Sequence, residues 1–97
     1  MDIKRALRNV QTTGKVTVGI RETKKHLQKK KVKLVIVARN CPQEDLEELK
    51  GFKVPLYTFD GTNQELGAAS GKPFSISTLG VIDGGKSDIL TLKGDEK

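Results

Sequence analysis

The sequence has one cysteine, one histidine, no tryptophan, one tyrosine and three phenylalanines in 97 residues. A single cysteine, Cys41, excludes an internal disulfide and a Cys-rich metal site, and fits a reducing compartment. So few aromatics exclude a surface that stacks many successive bases, as single-strand binders do. Any aromatic left exposed is therefore informative. Long apolar runs are missing as well. The longest, Leu34-Val35-Ile36-Val37-Ala38, falls far short of the roughly 20 residues a spanning helix needs. No membrane partner is expected, and the charged N-terminus lacks the apolar region of a signal peptide.

The groups an enzyme needs are equally scarce. His26 lies among lysines, and Cys41 has no base beside it in sequence, so a structural cysteine is the better reading than a nucleophile. Glu44, Asp45, Glu47 and Glu48 cap and solvate one helix. Gly61, Gly67 and Gly71 match neither the dinucleotide-binding nor the P-loop spacing. No catalytic residue, cofactor or metal is expected. A small hydrolase using Cys41, and an adaptor docking an acidic partner, stand as the competing readings.

Positive charge, by contrast, is abundant. Eighteen basic residues oppose 12 acidic ones, a formal net charge of +6, which makes the chain attractive to polyanions, nucleic acid first. The length suits one domain, residues 1–97, with a single core.

Along the chain, Ile3, Leu7 and Val10 share a helical face that ends before Gly14. Val16, Thr17 and Val18 form a short strand leading to Gly19. Residues 21–31 read as a surface helix with a basic end, and 34–38 as a strand buried on both faces. Residues 43–50 form an acidic helix closed by Gly51. Residues 54–59 form a strand that Pro55 places near an edge. Thr62 and Glu65 are spaced as a capping box for a helix that stops at Gly71. A last strand is expected over 75–82, a terminal piece over 87–92 and a frayed tail over 93–97. Alternating helices and strands predict helices on both faces of one mostly parallel or mixed sheet.

One stretch carries a binding signature. Gly19 ends a strand, so backbone there can approach a ligand closely, and the helix that follows presents N–H groups and a positive dipole end. Arg21 adds planar donors for a guanine edge or a phosphate, and Glu22 can accept from base amino groups. Thr23 and Lys25 can hold backbone phosphates. The same residues also read as an ordinary helix start with a solvated lysine face.

GIRETKK from Gly19, KLVIVARNCP from Lys33, GTNQELGAASGKPFSIS from Gly61 and GKSDIL from Gly85 together resemble the large-subunit ribosomal protein family called L-thirty-e. That archaeal and eukaryotic family sits in the kink-turn RNA-binding superfamily that also contains L-seven-Ae. The resemblance implies an α/β fold, a three-layer α-β-α sandwich around a four-stranded mixed sheet. It implies a ribonucleoprotein that binds a kink-turn in ribosomal RNA, an RNA helix bent sharply at tandem sheared G·A pairs. It further implies cytoplasmic ribosomes, neighbouring ribosomal proteins as partners, and a monomer when free. The extension-free length is what an archaeal member would show.

By the same resemblance, Gly19, Ile20, Arg21, Glu22, Thr23 and Lys25 enter the widened groove at those pairs. Asn40 matches a polar RNA-contacting position. Lys72, Phe74 and Ile76 fall in the loop that packs an apolar side chain on an extruded nucleotide. Alternation puts Phe74 and Ile76 on one face, which as an inward face would make both of them core. Arg21 stands where the L-seven-Ae branch has asparagine, favouring the ribosomal role over the alternative, a component of an RNA-modification or RNA-processing particle.

Overall fold

The computed structural model describes residues 2–91. The chain begins with α1 (Ile3–Thr13), β1 (Lys15–Val18), α2 (Ile20–Gln28) and β2 (Leu34–Val37). It continues through α3 (Gln43–Lys50), β3 (Leu56–Thr58), α4 (Asn63–Ala69) and β4 (Thr78–Asp83), and a 3-10 turn (Ile89–Thr91) follows. Asp2 caps α1, its carboxylate accepting from the backbone N–H groups of Lys4 and Arg5, two of the donors a helix start leaves without partners.

The sheet has strand order β1-β4-β2-β3. Strand β4 runs antiparallel to both β1 and β2, while β3 runs parallel to β2. The sheet is therefore mixed. β3 is an edge strand, as Pro55 requires, and the Pro55 carbonyl accepts from Val35 N–H at 2.9 Å.

All four residues of β2 are buried, and their alternation divides the core. Leu34, Ile36 and Ala38 join Leu7 and Val10 of α1 and Leu66 of α4 on one face. Val35 and Val37 join Leu27 of α2 and Leu49 of α3 on the other. Helices thus cover both faces, giving the expected α-β-α sandwich.

Three boundaries differ clearly from the sequence reading, and the first is β3, which spans Leu56–Thr58 of the expected 54–59. Helix α2 stops at Gln28, because Lys29 N–H folds back to the carbonyls of His26 and Leu27 and Lys30 takes a left-handed φ of 57°. The last strand starts at Thr78, not at residue 75. Residues 74–77 are held by α4 instead, with Ile76 N–H donating to the Asn63 carbonyl at 2.9 Å. The expected tail, residues 93–97, lies outside the described residues.

Candidate nucleic-acid interface

The register brings three loops to one end of the sheet. Val18 pairs with Leu79 and Val37 with Thr78, so β1 and β2 finish where β4 begins. Backbone hydrogen bonds stitch the loops together: Gly19 N–H to the Thr78 carbonyl at 2.8 Å, Ala38 N–H to Ser77 at 2.9 Å, and Arg39 N–H to Gly61 at 2.8 Å.

Gly19 has φ 93° and ψ 157°, a conformation that side chains with a Cβ hardly populate. A Cβ built there would meet nothing within 4 Å. Backbone conformation alone requires the glycine, and the surface above it is open. No side chain caps α2, so its first N–H groups have no side-chain partner at the cap. Arg21, Glu22 and Lys25 are exposed beside it.

Two residues of this stretch point elsewhere. Ile20 is half-buried against the apolar cluster beneath α2. Thr23 is fully buried, with its hydroxyl 2.9 Å from that of Thr17. The expectation that Thr23 holds a phosphate is corrected: a buried hydroxyl needs an internal partner, and Thr17 satisfies it. Lys24 pairs with Glu48 of α3.

Asn40 is exposed, yet its amide is engaged. Its Oδ1 accepts from Asn63 N–H at 2.8 Å, and its Nδ2 donates to Asn63 Oδ1 at 3.1 Å. Asn63 also receives Ile76 N–H, so it ties the end of β2, the start of α4 and the following loop into one unit. Sequence reasoning missed Asn63, since an asparagine in the first turn of a helix looks like ordinary capping chemistry.

The loop over residues 70–77 lies hard against α4. A Cβ on Gly67 would stand 2.0 Å from the Phe74 carbonyl oxygen, so only glycine admits this approach. Phe74 is 52% exposed, while Ile76 is 1% exposed in the core. The shared face expected for the two does not exist, because the loop is not a strand and period-2 alternation does not apply. Ile76 is a core residue whose side chain has no outward surface. Phe74 and the half-buried Lys72 border an open groove of about 380 Å³ that Gln64 and Ala68 also line.

Beneath these loops, Cys41 is buried with its sulfur 3.7 Å from Thr78 Oγ1. Burial pushes its thiol pKa up, the environment of a structural cysteine. The capping box is formed, with Thr62 N–H donating to Glu65 Oε1 at 2.9 Å and Glu65 N–H to Thr62 Oγ1 at 3.4 Å. The Thr62 backbone bond holds the Glu65 carboxyl below the usual carboxylate range. Among the described residues, no group of three His, Cys, Asp or Glu side chains is placed to hold a metal ion.

These features define a small α-β-α sandwich that presents a helix start and an aromatic-bearing loop from one end of its sheet. The chain belongs to the Ribosomal protein L7Ae/L30e/S12e/Gadd45 family, whose model matches residues 1–91. It is 47% identical over 93 residues to the "Large ribosomal subunit protein eL30" of Methanospirillum hungatei, covering 95% of this chain and 98% of that protein. The protein of the same name from Pyrobaculum calidifontis is 48% identical over 98 residues, covering 95% of each chain. That from Methanothermobacter thermautotrophicus is 39% identical over 98 residues, covering 97% of this chain and all of the relative.

Proposed function

We propose that this chain is a structural protein of the large ribosomal subunit, a single RNA-binding domain that binds a kink-turn in ribosomal RNA and holds it bent. It works in the cytoplasm, on the ribosome beside neighbouring ribosomal proteins, is monomeric when free, and is not an enzyme. The ribosomal role is supported by relatives of that name matching over nearly the full length. The observation that carries RNA recognition is Phe74, half-exposed on a loop pinned to α4, beside the same sheet end as Arg21.

The division of labour follows from the chemistry. Gly19 admits RNA close to the backbone, the α2 start offers N–H donors, and Arg21 and Glu22 address base edges or phosphates. Lys25 and Lys72 lower phosphate repulsion at the bend. Phe74 gives an extruded base a π-face, worth ~1–3 kcal/mol. Ile20, Thr23, Asn40 and Ile76 act from behind, as the anchors that fix these groups in place. Binding free energy is thus directed into an RNA shape, the irregular kind of site that proteins read most readily.

The test is a titration against a kink-turn RNA and a control duplex lacking the G·A pairs, at two salt concentrations. The preference for the kink-turn should persist at the higher salt and fall at least tenfold in both Arg21→Ala and Phe74→Ala. Equal binding of the two RNAs with a steep salt slope would reduce the interaction to general attraction between charges.

A further inference from the structure

The excess positive charge is not at the sheet end described above. Lys29, Lys30, Lys31 and Lys33 follow α2, and Lys50 and Lys53 flank the end of α3; no acidic residue interrupts 29–33 or 50–54. These are six of the chain's 18 basic residues, so the remaining 12 balance its 12 acidic ones. All six are exposed, and none forms an ion pair among the described residues.

The fold brings the two segments together at the opposite end of the sheet. Helix α2 and helix α3 both finish there, and the start of β2 pairs with the start of β3 through Val35 and Leu56. Between them runs a groove of about 650 Å³ with Leu27, Val32, Phe52 and Val54 on its floor and Lys30 and Lys53 on its rim. Lys30 sits at φ 57°, the left-handed region that favours glycine. The chain keeps a charged side chain at a position whose backbone disfavours one.

We propose that this lysine-rimmed groove is a second binding site, which takes the phosphate backbone of a separate RNA segment. Residue type selects the occupant. Interfaces with proteins are depleted in lysine and enriched in arginine, and arginine is the side chain suited to gripping carboxylates through two parallel bonds. Here all six cations are lysines, mobile point charges that neutralise phosphates without demanding a fixed geometry. With extents of 28 × 25 × 24 Å, the molecule would then hold one RNA segment at each end of its sheet.

The test compares two proteins of equal net charge for affinity towards a plain Watson–Crick RNA duplex without G·A pairs. One carries Lys30→Gln, Lys31→Gln, Lys33→Gln and Lys53→Gln. The other carries Lys4→Gln, Arg8→Gln, Lys15→Gln and Lys86→Gln, which are exposed and do not line the groove. At low salt the first should lose tenfold or more in duplex affinity, and its salt slope should fall by roughly 0.7–0.9 for each phosphate it no longer neutralises. The second should change less than threefold. Equal losses in the two proteins would overturn the proposal, as would an unchanged duplex affinity with lost binding of an acidic leucine-containing peptide, which would assign the groove to a protein. The readout is independent of the kink-turn: failure of Arg21→Ala and Phe74→Ala to affect kink-turn binding would leave this result standing.

Discussion

Where β1 and β2 finish, the side chains that support the exposed Arg21, Glu22, Lys25 and Phe74 are committed to partners within the protein. Thr23 bonds Thr17, Asn40 bonds Asn63, and Glu65 bonds the Thr62 backbone. At the other end of the same sheet, Lys30 and Lys53 rim a groove, four more exposed lysines lie on the segments that form it, and none of the six pairs with a carboxylate among the described residues. Recognition of a particular RNA shape needs groups held in place, and that demands internal hydrogen bonds. Attraction to a phosphate backbone needs only charge, which tolerates motion and spares the fold any constraint. Substitutions of these internally bonded groups should therefore disturb folding and binding together, and those at the second end should disturb binding alone.

The strongest challenge to that contrast is Gly67→Ala. Its new Cβ would meet the Phe74 carbonyl at 2.0 Å, so the loop must shift, at a cost of about 3 kcal/mol or more. Denaturant unfolding should report the destabilisation, and kink-turn affinity should fall with it even though Phe74 is retained. Thr23→Val comes next. It strands the Thr17 hydroxyl in the core and should cost about 1–3 kcal/mol, whereas Thr17→Val combined with Thr23→Val should recover most of that, since neither polar group is then left unpaired. A double-mutant cycle followed by thermal melting separates the two cases.

A smaller effect is expected from pH. The Glu65 carboxyl is held below its ordinary range by Thr62, so its stabilising contribution is complete above that range and is lost as pH falls through about 4 and below. Glu65→Gln should accordingly show a shallower drop in melting temperature over that acid interval. The smallest effect belongs to the lysine end, where Lys53→Ala should alter stability by less than about 0.5 kcal/mol. A larger change would mean that this end is also built by internal packing and would remove the contrast.

Much of this organisation was legible in the residues. The uninterrupted apolar run of β2, the helical spacing of Ile3, Leu7 and Val10, and the Thr62–Glu65 cap are local signals, and each appears in the fold. The site was legible in part. Gly19, Arg21 and Phe74 stand where their types suggested, at an open strand end and on an exposed loop. The inward turn of Thr23 was hidden, because its partner Thr17 is brought to it by tertiary packing, whereas a core position for Ile76 was one of the two readings the alternation allowed. The Asn40–Asn63 bridge joins residues 23 apart in sequence, beyond the reach of any local pattern. The lysines were visible in the sequence as separate runs, but only the parallel pairing of β2 with β3 brings Lys30 and Lys53 to one groove.

The order of the strands has a consequence for synthesis. β4 is the last strand to be made, yet it occupies the interior of the sheet between β1 and β2. Until residues 78–83 leave the ribosomal tunnel, β1 has no neighbour, and the carbonyls of Ser77 and Thr78 that receive Ala38 and Gly19 are missing. A nascent or truncated chain therefore carries Gly19, Arg21 and Ala38 without the backbone bonds that align them. Maturation is coupled to completion of the polypeptide by topology alone, at the expense of a folding step that waits for long-range pairing.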